Sequence, residues 1–256
     1  MLTLLRRRKS MQSSNPALAT MRSAAGAYNF GGIEAGATIS GTTTKSLVLV
    51  ATTLVTGYIS MMYTLGQLYM GQAPSGLLMY GSLIAAVIVA FITIFKPQFS
   101  PITAPIYAVL EGGALGSLSA YFELQYPGIA TTAVLSTFVV VMSMLALWKF
   151  KVIVPTQRFR AIITGAISGV FFIYLIDIVL HLFGVNFLPN SGPMAIIISL
   201  VVCTIAAFSL VLDFENIQEG VEQGLPKYFE YYNAFSLLVT ICWLYVEILK
   251  LLSRRE

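Results

Sequence analysis

Residues 234 to 252 read AFSLLVTICWLYVEILKLL, a largely apolar run whose only charges are Glu247 and, near its end, Lys250. A helix needs about 20 apolar residues to cross a bilayer, and this run has that length. A second run, Pro193 to Leu212, stops at Asp213, in SLVLDFENI. The chain holds only two aspartates, Asp177 and Asp213, so one of them is spent at the edge of an oily segment. A carboxylate at membrane depth is costly, and it persists where it binds, conducts or switches something.

The composition agrees with a lipid solvent. The chain has 256 residues, 57% hydrophobic and 10% charged, with a net charge of +4, and its mean hydropathy is +0.82. A soluble domain carries about 25% charged residues. The basic residues gather at segment ends, without the basic–aromatic interleaving that nucleic acid would require, so no nucleic-acid partner is expected. Cys203 and Cys242 both lie inside apolar runs and read as small buried hydrophobes, with no disulfide framework.

Seven apolar runs follow a leader rich in Ser, Gly, Ala and Thr. They cover roughly 46–66, 76–95, 102–122, 128–148, 161–183, 193–212 and 233–252. The expected organisation is a mobile polar leader, 1–45, and a membrane domain, 46–256. In lipid an open backbone must satisfy its own peptide groups, so each run is predicted as a helix and the fold class as an all-α integral membrane protein. Pro74, Pro97, Pro127, Pro155 and Pro189 fall between runs. Lys and Arg are concentrated in the leader, after the second run and between the fourth and fifth. The loops after runs one, three and five carry none. The positive-inside rule therefore predicts a cytoplasmic N-terminus. Phe214 to Tyr232 reads as an acidic link on the same side. Lys250, Arg254 and Arg255 oppose the scheme, so the last run either crosses with a basic outer end or dips in and returns.

Small residues recur at four-residue spacing at Gly112, Gly116 and Ala120, and again at Gly165 and Gly169. Both sets are expected to let helix backbones approach closely. The acids in or beside apolar runs are Glu111, Asp177, Asp213 and Glu247. Asp177 precedes His181 by one helical turn, on the same face. With one histidine there is no HExxH. No G-x-S-G appears, neither aspartate sits in G-x-G-D, and Lys250 lies too near a helix end for a mid-membrane Schiff base. No enzyme activity and no cofactor are expected.

Three local matches make the chain resemble the Bax inhibitor-1 (transmembrane Bax-inhibitor-motif) family over about residues 46 to 253. Pro105 to Gly116, PIYAVLEGGALG, is similar to an early glycine-containing span of that family. Leu212 to Ile217, LDFENI, resembles its D-T-Q-x-I element at the end of the sixth helix. Leu244 to Leu252, LYVEILKLL, resembles its L-Y-L-D-F-I-N-L-F element in the last helix. Ser14 to Leu18 (SNPAL) and Tyr126 to Ile129 (YPGI) are similar to the bacterial branch. The resemblance implies a seven-helix bundle with the last helix near its middle, in a bacterial inner membrane. It also implies a pH-gated calcium leak in which acids of the last two helices, here Asp213 and Glu247, share protons and meet Ca²⁺. Glu111 and Asp177 are candidates along the ion path. The second acid is Glu where the family has Asp, and the two acids stand 34 positions apart. Two further readings are open. One is a membrane regulator that binds a membrane protease or stress factor through the leader and the acidic link. The other is a proton-coupled transporter.

Overall fold

A computed structural model describes residues 36–185, 187–189 and 191–254, so SNPAL and most of the expected leader lie outside the described residues. Seven α-helices follow one another: α1 Ile39–Tyr69, α2 Ser82–Phe95, α3 Ser100–Gln125, α4 Ile129–Lys149, α5 Gln157–Leu182, α6 Pro193–Glu222 and α7 Phe229–Ser253. A π-helical turn, Leu77–Gly81, leads into α2, and a 3-10 turn, Pro97–Phe99, joins α2 to α3. Among the described residues there is no strand.

Six of these segments are long and apolar enough to cross a membrane, counting Leu77–Phe95 as one. The exception is α3, which carries Glu111, Glu123, Ser117, Ser119 and three glycines. Its neighbours supply the reason. α3 packs against α1, α2, α4 and α7, and Tyr107, Ala108, Gly112, Ala114, Ser117 and Ala120 are buried. A helix covered by protein has less need of an oily coat than one covered by lipid. α2 and α5 are the opposite case, with most side chains turned outward.

The first glycine set does what its spacing predicts. A Cβ at Gly116 would overlap the Gly57 carbonyl of α1, and one at Gly112 would overlap the Thr56 hydroxyl and Thr53 carbonyl. The approach lets hydroxyls cross between backbones: Thr53 Oγ1 donates to the Ala108 carbonyl (3.1 Å), and Ser60 Oγ to the Gly113 carbonyl (2.7 Å). The second set does not share this role. Nothing lies within 4 Å of a Cβ built at Gly165 or Gly169, because α5 keeps that face away from the other helices.

Polar contacts collect where α1, α3, α5 and α7 begin and α4 and α6 end. Ser100 Oγ donates to the Tyr228 carbonyl (2.9 Å). Trp148 Nε1 donates to Glu215 Oε2 (3.0 Å), and Arg160 pairs with both Glu215 and Glu219. Lys45 and Lys227 pair with Glu230. Most of the described cations therefore share one end of the bundle.

Two expectations need correction, and a third point bears on the last run. The stretch after Asp213 is not a link: α6 continues unbroken to Glu222, held by the contacts of Glu215 and Glu219 with Trp148 and Arg160. α1 starts at Ile39, ahead of position 46, because Thr38 caps it by accepting from the Gly41 amide. α7 is one uninterrupted helix of 25 residues, without the break that a dip and return would need. Its basic end is accounted for inside the protein. Lys250 pairs with Glu247, and Arg254 donates to the Ala195 carbonyl (2.8 Å) and to Ser199 Oγ at the start of α6.

Candidate functional site

α6 and α7 run antiparallel and meet along a seam with polar groups in it. Near one end, Asp213 Oδ1 accepts from Ser236 Oγ at 2.8 Å. The seam can be followed from there to Arg254 beside Ala195 and Ser199. Ser236 reaches Asp213 only because α6 carries on as helix past that residue. Asp213 is 7% exposed; its buried Oδ2 makes no hydrogen bond, although the Thr240 hydroxyl lies beside the carboxylate, and Nδ2 of Asn233, which rests against Gly220, is likewise buried and unpaired. Burying an unpaired polar atom is costly, so a half-satisfied carboxylate is an unusual thing for a fold to keep.

Glu247 repeats the pattern further along. It is 1% exposed. Its Oε1 accepts from the Tyr174 hydroxyl of α5 (3.0 Å) and from Lys250 Nζ (3.2 Å), while Oε2 is buried with no partner. Lys250 also stands 4.9 Å from the centre of the Tyr174 ring. Cys203 of α6 is an electrostatic neighbour of Glu247 and Lys250.

Asp213 and Glu247 are not hydrogen-bonded to each other. Glu247 lies eleven residues beyond Ser236, the partner of Asp213, which is about 16 Å along a helix at 1.5 Å per residue. Eleven residues are close to three full turns, so Ser236 and Glu247 share a face of α7. The expected carboxylate pair is thus two stations on one seam. The cause is the antiparallel register: Asp213 is in the last third of α6 and meets the early turns of α7, whereas Glu247 lies late in α7.

The other two candidates lie elsewhere. Glu111 faces α7 from α3, beside Tyr107 and Cys242. Asp177 accepts from the Leu188 amide (2.9 Å) and fastens the loop after α5. Among the described residues, no group of three or more His, Cys, Asp or Glu side chains is placed to hold a metal ion together.

Glu230 was missed by the sequence reading. It is fully buried, and its Oε1 accepts from the Thr38 amide (2.8 Å), the Thr38 hydroxyl (2.8 Å) and Lys227 Nζ (2.7 Å). Its Oε2 pairs with Lys45 of α1. The one available signal was an acid at the N-terminal end of the last run, a place that reads first as a solvated first turn.

A family model described as Bax inhibitor 1 like matches residues 5–256. No curated protein and no solved structure matches the chain.

Proposed function

The chain belongs to the Bax inhibitor 1 like family, and from that premise we propose that it is a pH-sensitive cation leak, with Ca²⁺ as the permeant ion. The family and the six apolar helices make it a multi-helix membrane protein in contact with lipid. The proposal adds seven crossings, with α3 as the seventh, since its 26 residues exceed what a span needs. The contacts of α7 with α1, α3, α4 and α6 support a bundle arranged around the last helix. The gathering of cations at one end supports a cytoplasmic N-terminus, and the proposal places the protein in a bacterial inner membrane.

One observation carries the functional reading. Two buried carboxylates, Asp213 and Glu247, each keep one oxygen unpaired along the same α6–α7 seam. A carboxylate oxygen buried without a partner is costly, and a cation or a proton that binds it relieves that cost. Ca²⁺ is a hard ion that takes oxygen ligands, and the seam adds the hydroxyl of Ser236 to those of the acids. Protons and Ca²⁺ then compete for the same oxygens, so flux depends on pH. Stations about 16 Å apart suit stepwise passage better than one shared proton. Protein-bound and transporter roles lack a comparable observation in their favour.

The test is Ca²⁺ uptake by liposomes holding the purified protein, at pH 6 and pH 8. Wild type is expected to show a flux that differs between the two. Asp213→Asn is expected to flatten that difference, and Glu247→Gln to reduce it. Unaltered pH dependence in both variants would defeat the proposal, as would the absence of flux from folded wild type.

A further inference from the structure

α5 is the helix least attached to the rest. It packs against α6, and only Ile163 and Val170 of its length are buried. Large side chains such as Phe171, Phe172 and Ile176 face outward. Among the described residues, polar contacts tie it to α6 and to α7. At its first turn, Arg160 reaches Glu215 and Glu219 of α6. Fourteen residues later, the Tyr174 hydroxyl crosses to α7 and donates to Glu247 Oε1 at 3.0 Å. Lys250 steadies both ends of that bond, donating to the same oxygen at 3.2 Å and lying 4.9 Å from the Tyr174 ring centre. Cys203 of α6, 9% exposed, is the electrostatic neighbour of Tyr174, Glu247 and Lys250.

We propose that α5 is a lateral gate over the α6–α7 seam, bolted shut by the Tyr174–Glu247 hydrogen bond and pivoting about its Arg160 end. In a bilayer, lipid tails are as apolar as the side chains of α5, so no hydrophobic force presses the helix home and polar ties weigh more heavily. The Arg160 contacts sit at the extreme end of the helix, so a swing of its later half need not break them. The bolt lies in the second half, where it has the greater leverage, and its acceptor is the half-satisfied carboxylate of the seam. With α5 swung away, Glu247 and Cys203 open sideways. This inference holds whichever ion crosses, so a failed flux experiment leaves it standing.

Thiol labelling reads the gate directly. The chain has two cysteines, so Cys242→Ser leaves Cys203 as the only thiol. The full-length protein in liposomes is treated with N-ethylmaleimide, and folding of each variant is confirmed by its melting curve. Cys203 is expected to react slowly in this background. Tyr174→Phe should speed the reaction about tenfold or more, the shift in opening that follows loss of one hydrogen bond to a charged acceptor. Glu247→Gln keeps a neutral acceptor and should give a smaller increase, and it carries the test alone if the phenylalanine variant does not fold. Tyr245→Phe loses a hydrogen bond to Ser119 of α3, away from α5, and should leave the rate unchanged. Background rates in both bolt variants would overturn the proposal. So would an equal acceleration by Tyr245→Phe, which would mean general loosening.

Discussion

Glu230→Gln is expected to cost the fold about 3–5 kcal/mol, the usual loss when one partner of a buried ion pair is removed. Four donors converge on this carboxylate: the Thr38 amide and hydroxyl, Lys45 and Lys227. Together they tie the first turn of α1, whose amides have no partner within the helix, to the first turn of α7. The approach is close enough that any Cβ at Gly41 would overlap the carboxylate. Glutamine keeps the shape and removes the charge, which leaves Lys45, 19% exposed, without its counterion. Lys227 is 48% exposed and can turn to water, so Lys45 bears most of the loss. The check is thermal unfolding in detergent, with Glu222→Gln on the exposed end of α6 as the reference, expected to stay within about 0.5 kcal/mol of wild type. Lys45→Met combined with Glu230→Gln should cost less than the two changes added, since the second removes a partner already lost. A Glu230→Gln protein that melts with the wild type would show that this node does not hold the two helices together.

That node marks where reading the sequence reaches its limit. The apolar runs are legible because lipid enforces one periodicity-free criterion, length without charge, and the helices follow those runs to within a few residues at most ends. Asp213 and Glu247 are legible for the same reason, as charges standing out against oil. What fails is anything decided by a partner far along the chain. FENIQEGVE looks like a polar connection, yet it continues α6, because Trp148 and Arg160 satisfy Glu215 and Glu219 from other helices. Glu230 looks solvated because its partners Thr38 and Lys45 are some 190 residues earlier. The distance between Asp213 and Glu247 depends on the register of α6 against α7, which neither segment encodes alone. The low hydropathy of α3, read in isolation, hides that it is among the most enclosed helices.

Gly116→Leu and Gly165→Leu should separate sharply, although the two glycines share the same spacing motif. At Gly116 a Cβ falls on the carbonyl, carbonyl carbon and Cα of Gly57. The obstacle is backbone, which has no rotamer to yield, so α1 and α3 must part. Overpacking alone costs about 1–3 kcal/mol. Parting the helices also strands the hydroxyls that cross between them: Ser60 with the Gly113 carbonyl (2.7 Å) and Ser117 (2.9 Å), and Thr64 with Ser117 (3.3 Å). Each lost bond adds roughly 0.6–1 kcal/mol in a membrane interior. A total above about 3 kcal/mol is expected for Gly116→Leu. At Gly165 nothing lies within 4 Å of the new Cβ, and replacing glycine inside a helix recovers up to about 0.8 kcal/mol of propensity. That variant should melt with or slightly above the wild type. Unfolding of the two purified variants under identical detergent conditions decides the matter. If Gly165→Leu proves as damaging as Gly116→Leu, then α5 has a close neighbour and the lateral gate has no room to move. If Gly116→Leu is harmless, hydroxyl contacts between α1 and α3 do not depend on the close approach that Gly57, Gly112 and Gly116 permit.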